Sequence, residues 1–224
     1  MKRLRLLRDA LTAASPAGEG IIRRGLEGAY LHWTQAVRVP RARLADPAVV
    51  LDLETTGLTG DTPLFLVGLL ARNNGDATLH QFFAPAPDRE ATVLRAARRL
   101  ARCHGTVLTY NGSTFDLPYW RRRARRHDLE PFHPATHIDV LHLCRRAWRG
   151  QLPRFRLITV EAALNGGPRS DDLPSYQIPS HYHRFVESGD PRWVVPIFRH
   201  NADDLLTTWR AYCRIERGLG PYDA

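Results

Sequence analysis

Two carboxylates at the end of an apolar run are the first residues whose types and spacing could do chemistry. In the stretch VVLDLETTGL, Asp52 and Glu54 stand two positions apart. On an extended strand this spacing points both side chains to the same side, next to each other. Like charges so close disfavour each other's ionised form, and a divalent cation is the usual compensation. Two exposed charges at a strand end are the alternative, and the tight polar turn Thr55-Thr56-Gly57 argues against it.

Three further residues could join such a site. Asp116 follows a predicted strand and opens a predicted helix, where capping that helix is its alternative role. His200 and Asp204 are four residues apart in RHNADDLLTTW, a spacing that puts both on one face of a helix. That face lies opposite the apolar side of the helix, so the periodicity also allows a solvated face. We interpret Asp171 and Asp172 as loop residues near the site.

The elements that must position these residues follow from hydrophobic periodicity and turn chemistry. Apolar runs predict a strand near 48–54 and two more, PLFLVGLLAR and ATLHQFFA, joined by a tight turn at Asn73-Asn74-Gly75. Later segments predict two more strands, TVLTY and ATHID. They also predict five helices: one ending at about residue 102, one starting at residue 116, one over VLHLCRRAW, one over LITVEAAL, and one from residue 191 or 196 to about residue 217. Three antiparallel strands followed by alternating helices and strands predict one α/β domain with a mixed sheet.

The chain divides into a basic N-terminal extension, residues 1–46, and a domain over residues 47–217. The extension is predicted as a basic amphipathic helix followed by extended chain, without the continuous apolar core of a secretory signal. No stretch approaches the roughly 20 apolar residues of a membrane span. The three cysteines lack zinc spacing and favour a reducing compartment, so we predict a cytoplasmic location.

The charge balance favours an anionic partner. The 224 residues carry 32 basic and 23 acidic side chains, a formal net charge of +9, and Lys2 is the only lysine. Arginine suits phosphate because its planar guanidinium can form two parallel hydrogen bonds. A well-solvated, arginine-rich surface is the alternative reading of the same balance.

Taken together, the motifs resemble a known family. DLETTGL, YNGSTFDLPYW and HNADD are similar, in this order, to the three exonuclease motifs of the DEDD (DnaQ-like) exonucleases. The similarity covers about residues 48–215 and extends to the YprB-type ribonuclease H-like domain, in which FLVGLL and HIDVLHLCRR have counterparts. The resemblance implies a ribonuclease H-like α/β fold, with flanking helices and a mixed sheet whose first three strands are antiparallel.

The resemblance also implies a metal site. Asp52, Glu54 and Asp204 would bind one cation directly, and Asp52 would bridge to a second that Asp116 holds partly through water. Two Mg²⁺ or Mn²⁺ ions about 3.5–4 Å apart ionise a water and neutralise charge on the phosphate during hydrolysis, and hard oxygen ligands select such ions.

The third motif departs from the family pattern. One branch has a histidine five residues before the last aspartate, and the other has a tyrosine four before it. Here Arg199 stands five before Asp204 and His200 four before it, and Asp203 fits neither template. We predict that His200 orients or deprotonates the attacking water, since imidazole titrates near neutral pH. Bonding a phosphate or capping a loop is its alternative role.

Substrate contacts are predicted around the first two motifs. By resemblance, Thr55, Thr56, Gly57 and Leu58 would lie against the terminal nucleotide, with Leu58 wedged at the last base. Asn111 and Phe115 are candidates for hydrogen bonding to a splayed base and for stacking on it. Arg122 and Arg125 are candidates for contacts along the phosphate backbone. A place in the core is the alternative for the phenylalanine.

These inferences predict a metal-dependent 3′–5′ exonuclease that releases nucleoside 5′-monophosphates, with single-stranded DNA as the favoured substrate. The direction comes from the resemblance. An RNA exonuclease of the same fold is one alternative. A non-catalytic nucleic-acid-binding module is another, but a binder of polyanions gains nothing from buried negative charge.

Overall fold

One mixed sheet with helices packed around it makes up the chain. The computed structural model describes residues 1–44, 47–73, 76–169 and 172–223. The strands follow the spatial order β1-β2-β5-β4-β3-β6-β7. They are β1 (Gly18–Gly25), β2 (Gly28–Val37), β3 (Ala48–Thr55), β4 (Leu64–Asn73), β5 (Asp76–Phe83), β6 (Thr106–Thr109) and β7 (Thr136–Asp139). The helices are α1 (Lys2–Ala14), α2 (Glu90–Ala101), α3 (Asp116–Arg126), α4 (Val140–Ala147), α5 (Leu157–Asn165), α6 (Ile178–Ser188) and α7 (Val195–Glu216).

Strand β3 is the centre of the sheet and carries the first carboxylates. It pairs antiparallel with β4 and parallel with β6, and β4 pairs antiparallel with β5. The predicted α/β class and mixed sheet with three antiparallel strands are thereby confirmed. Residues 74 and 75 of the predicted turn lie outside the described residues, while Asn73 and Asp76 on either side are paired.

Alternate residues of β3 face two hydrophobic cores. Val49, Leu51 and Leu53 pack in a core with α1, α2, α3 and α6, whereas Ala48 and Val50 pack in a second core with α4, α5 and α7. A strand alternates its side chains between its two faces. The even-numbered Asp52 and Glu54 therefore continue the side on which α7 packs.

The N-terminal segment adds a hairpin that the sequence reading did not predict. Strands β1 and β2 pair antiparallel, and β2 continues the sheet by pairing with β5. Helix α1 places three of its four leucines, Leu4, Leu7 and Leu11, in the first core. Residues predicted as helix then extended chain thus share a sheet and a core with the rest. The division into an extension and a domain stays a prediction.

Helix α6 was also missed, because its segment was interpreted as a loop. Ile178, Tyr182 and Phe185 recur at helical spacing, and all three are buried in the first core. The helix ends at Gly189, whose φ of 72° is left-handed. Helix α5 likewise ends at a glycine with a left-handed φ, Gly166.

Candidate active site

The two carboxylates of β3 lie on one side of the strand, as their spacing predicted. Opposite Asp52 on β4 is Gly68, and a Cβ built there would stand 2.1 Å from Oδ1 of Asn201 on α7. The missing side chain therefore lets α7 approach the sheet. Asn201 uses this approach to donate from Nδ2 to Oδ2 of Asp52 at 2.7 Å.

Asn201 is itself held from behind. Its Oδ1 accepts a hydrogen bond from Nε2 of Gln81 on β5 at 2.9 Å, and the same Gln81 nitrogen donates to the carbonyl of Phe198. Asn201 is fully buried. A buried amide with all these bonds has one orientation, so Gln81 and Asn201 position the Asp52 carboxylate. Sequence reasoning missed both residues.

Burial makes the first two carboxylates hard to ionise. It raises the pKa of Asp52 well above its ordinary value, and the charges of Asp204 and Asp116 raise it further. Burial likewise raises the pKa of Glu54 well above its ordinary value, with the nearby Asp52 charge adding to the effect. Oε1 of Glu54 is buried and has no hydrogen-bond partner among the described residues. Such an acceptor calls for a cation or donor.

Asp116 begins α3, the helix that follows β6, and its charge acts on Asp52 and Glu54 of β3. Burial raises its pKa to about 7, although backbone hydrogen bonds at Asp116 and Leu53 lower it. The charges of Asp139 and Asp204 raise it further. Asp139 caps α4, accepting from the backbone N–H of Leu141 at 3.2 Å.

His200 and Asp204 meet on α7 as the four-residue spacing predicted. The Nε2 atom of His200 is 3.5 Å from Oδ2 of Asp204. The other ring nitrogen, Nδ1, lies 2.8 Å from Oδ1 of Asp172. Ser175 Oγ is 3.5 Å from Nε2. Asp172 is therefore a partner of the histidine, whereas its neighbour Asp171 lies outside the described residues.

A guanidinium reaches the same acidic cluster from the loop after α5. Arg169 donates from Nη2 to Oδ1 of Asp204 at 2.7 Å and from Nη1 to Oδ1 of Asp172 at 3.1 Å. It also forms an ion pair with Glu161 of α5. Its positive charge compensates part of the cluster. Nothing in the sequence distinguishes this arginine from the other 30.

A cleft of about 470 Å³ opens over these groups. Of the predicted substrate residues, Thr55, Gly57, Leu58 and Phe115 line it. It is also lined by residues of the segment before and within α6 that sequence reasoning missed: Ser175, Tyr176, Ile178 and Pro179.

The other predicted substrate residues lie away from the cleft lining. Thr56 donates from Oγ1 to the Pro63 carbonyl, and Asn111 accepts from Thr114 at its Oδ1. Asn111 has a left-handed φ of 66°. The two arginines, Arg122 and Arg125, are exposed on α3.

The donor set fits a divalent cation. Within the described ranges, no group of three or more His, Cys, Asp or Glu side chains is arranged as a ready metal site. Asp52 and Asp204 each have an oxygen bonded to a protein donor, from Asn201 and Arg169 respectively. The partnerless Oε1 of Glu54 and the all-oxygen chemistry nevertheless match what Mg²⁺ and Mn²⁺ prefer.

Comparison with known proteins identifies the family. The family model of the RNase H superfamily matches residues 49–215. The chain belongs to the RNase H superfamily. This membership indicates a nuclease-type hydrolase and accounts for the ribonuclease H-like sheet that the motifs predicted.

Two similar proteins extend the comparison. The chain is 32% identical over 173 residues to protein YprB of Bacillus subtilis (strain 168), covering 75% of this chain and 41% of that protein. It also superposes on a family B DNA polymerase from the archaeon Pyrobaculum calidifontis with a TM-score of 0.57 and 13% identity. That match covers 90% of this chain and 29% of the polymerase, and it shows likeness of fold. Among the described helices, none is long and apolar enough to cross a membrane.

Proposed function

We propose that this RNase H superfamily member is a metal-dependent 3′–5′ exonuclease that releases nucleoside 5′-monophosphates, with single-stranded DNA as its favoured substrate. The observation that carries the proposal is the convergence of carboxylates from three distant motifs, with a buried Glu54 oxygen that has no partner among the described residues. In a protein that only binds polyanions, such a cluster would lower the affinity, because the carboxylates repel phosphate.

Four residues would hold the two divalent cations: Asp52, Glu54, Asp116 and Asp204. When bound, Mg²⁺ or Mn²⁺ supplies an ionised water and neutralises charge on the phosphate. The protein's own contribution is to hold these carboxylates in position. Asn201 does so for Asp52 through its hydrogen bond.

His200 serves as the base in this proposal. Its Nδ1 faces the Asp172 carboxylate at 2.8 Å, which favours the tautomer with the proton on Nδ1. Nε2 then keeps its lone pair and can take a proton from water beside Asp204. The arrangement makes Asp172 a positioning residue for the ring.

The cleft mouth suits a terminal nucleotide. Leu58 and Tyr176 both line it, and they are 87% and 81% exposed. Exposed flat or branched apolar side chains are available for stacking on a base. Thr55 and Thr56 donate their hydroxyls within their own loop, to the carbonyls of Gly57 and Pro63. This loop would therefore meet the nucleotide mainly by its shape and backbone.

The phosphate backbone would run along exposed arginines of α3. Arg122 and Arg125 are exposed, whereas Arg123 is buried in an ion pair with Glu90. The first two can therefore reach the phosphates of a bound strand, as can the exposed Arg126. We also propose a cytoplasmic location, in keeping with the free cysteines Cys103, Cys144 and Cys213.

The test uses 5′-labelled single-stranded DNA, duplex DNA and RNA, each with Mg²⁺, Mn²⁺ or chelator. The proposal expects single-stranded DNA to shorten stepwise from its 3′ end, with either metal and not with chelator. Faster shortening of RNA would favour the alternative substrate. Internal cuts, or equal cleavage in chelator, would overturn the proposal.

A further inference from the structure

A second concave site lies between α2 and α3. It is a cavity of about 300 Å³, and none of its lining residues lines the active-site cleft. One wall carries four arginines, which are Arg95, Arg98 and Arg99 of α2 and Arg102 directly after its end. Their spacing of i, i+3, i+4 and i+7 brings all four to one face of the helix.

The charges of these arginines are only partly compensated. Arg95 forms an ion pair with Glu27, and Arg98 forms one with Glu130, which also lines the cavity. Arg99 and Arg102 are exposed, and neither has an ion-pair partner among the described residues. The cavity therefore carries an excess of positive charge that can attract an anion.

The floor of the cavity is apolar and contains an unused donor. It is lined by Leu94, Trp120, Ala124 and Leu129. Trp120 is fully buried, yet its Nε1 has no hydrogen-bond partner among the described residues. An indole nitrogen can only donate, and buried donors are almost always paired. The floor therefore offers an apolar face to a ligand.

The two helices are held at a fixed separation. Arg123 of α3 donates from Nε to Oε1 of Glu90 on α2 at 2.7 Å, and both side chains are buried. Nε2 of His127 lies 2.8 Å from Oε2 of the same glutamate. The cavity is consequently formed before any ligand arrives, which lowers the entropic cost of binding.

Solvated arginines near a helix C-terminus are the plain alternative. Arg98 and Arg99 lie in the last turn of α2, where positive charge is favourable. This alternative explains the exposed guanidinium groups. It does not explain why those guanidinium groups border a preformed cavity with an apolar floor.

We propose that the cavity binds a nucleotide, with its phosphate at Arg99 and Arg102 and its base over the apolar floor. Arginine is suited to phosphate, and a base offers a flat face that can pack on the apolar floor. The volume is at the lower end for a small-molecule site. The nucleotide is either free or one unit of a strand. The inference stands on this lining and does not require the proposed hydrolysis.

The test measures binding in chelator, so that no hydrolysis takes place. The probes are adenosine 5′-monophosphate and a single-stranded oligothymidylate of about ten nucleotides. Arg99→Gln/Arg102→Gln should weaken binding by about tenfold or more, because two charge-assisted contacts are lost. The control, Arg145→Gln/Arg146→Gln, removes the same charge from exposed positions on α4 and should leave binding close to wild type.

Trp120→Phe makes the aromatic ring of the floor smaller. It should weaken binding several-fold, provided that thermal unfolding shows a folded protein. The arginine variants, altered at exposed positions, decide the matter should Trp120→Phe unfold. Losses with the monophosphate identify a free nucleotide as ligand, and losses with the oligothymidylate alone identify a strand.

Three results would overturn the proposed nucleotide binding. They are no binding of either probe, equal binding by wild type and Arg99→Gln/Arg102→Gln, or a loss of binding in the α4 control as large as that in Arg99→Gln/Arg102→Gln. Hydrolysis is assayed separately with Mn²⁺. Glu54→Gln should abolish hydrolysis and keep pocket binding, so the two proposals can fail independently.

Discussion

His200 has one ring nitrogen engaged by Asp172 and the other directed toward Asp204. His200→Ala should lower turnover roughly 10²–10⁴-fold, the usual worth of a positioned base. Mn²⁺ affinity should hardly change, because the carboxylates remain. His200→Tyr should restore part of the rate, since tyrosine stands at this offset in one branch of the resembled family. Single-turnover rates and Mn²⁺ titration measure both effects. Wild-type turnover in His200→Ala would make the histidine a structural residue.

Arg169 and a divalent cation would compete for Asp204. The guanidinium of Arg169 donates from Nη2 to Oδ1 of Asp204 at 2.7 Å. Arg169→Gln should therefore tighten Mn²⁺ binding several-fold and lower the melting temperature in chelator, because the acidic cluster loses its compensating charge. Calorimetric titration and thermal unfolding give the two numbers. The matched control is Arg192→Gln, an exposed arginine paired with Asp190. Unchanged Mn²⁺ affinity in Arg169→Gln would contradict the competition.

The residues that could be predicted were those whose chemistry is local in the chain. The two-residue spacing of Asp52 and Glu54 determines their common side wherever the strand lies in the fold. Asn201, Asp172 and Arg169 depend on contacts between distant segments, such as the 149 residues separating Asn201 from Asp52. Neither periodicity nor turn chemistry reports such contacts, so the sequence placed Asp172 only near the site and assigned no role to Asn201 or Arg169.

At the scale of elements, the approach of α7 to the sheet depends on Gly68. Gly68→Ala would place a Cβ 2.1 Å from Oδ1 of Asn201, and the helix would have to move. We expect a loss of about 1–3 kcal/mol in the free energy of unfolding, typical of overpacking, together with reduced nuclease activity. Urea denaturation measures the first. Gly105→Ala is the control, since a Cβ there meets nothing within 4 Å. Equal stability of the two variants would contradict the close approach.

The central strands could be predicted because they are continuous apolar runs, whereas the N-terminal hairpin could not. In β1, Arg23 and Arg24 interrupt the alternation, although Leu31 and Trp33 of β2 do alternate and are buried. Helix α6 had the helical spacing of Ile178, Tyr182 and Phe185, which its Pro-rich surroundings obscured. A weighting of periodicity over composition would have found this helix.

At the scale of the whole molecule, a histidine pair joins the N-terminal hairpin to the rest of the sheet. Nε2 of His32 on β2 lies 3.1 Å from Nδ1 of His80 on β5. Burial lowers the pKa of both to about 4, below the unfolded value near 6.5. Their neutral forms are thus favoured by folding. Stability should be full above about pH 6.5 and fall as the pH drops toward 4.

Melting temperatures between pH 7 and 4 measure this effect. His80→Gln should make the acid-side decline shallower, because one buried titrating group is removed. His183→Gln, at an exposed position, should follow wild type. A decline of the same steepness in all three proteins would assign the acid sensitivity to other groups.

The claim that these carboxylates form the metal site of a nuclease is tested most directly by one rate. This is the initial rate of 3′-end shortening of 5′-labelled single-stranded DNA in Mn²⁺, compared between wild type and Asp52→Asn. We expect that Asp52→Asn falls below about a tenth of wild type while remaining folded, as loss of a proposed metal-binding carboxylate implies. Asp88→Asn, an exposed carboxylate on the turn before α2, should keep the wild-type rate. A rate in Asp52→Asn above that tenth would contradict the account and place the metals elsewhere.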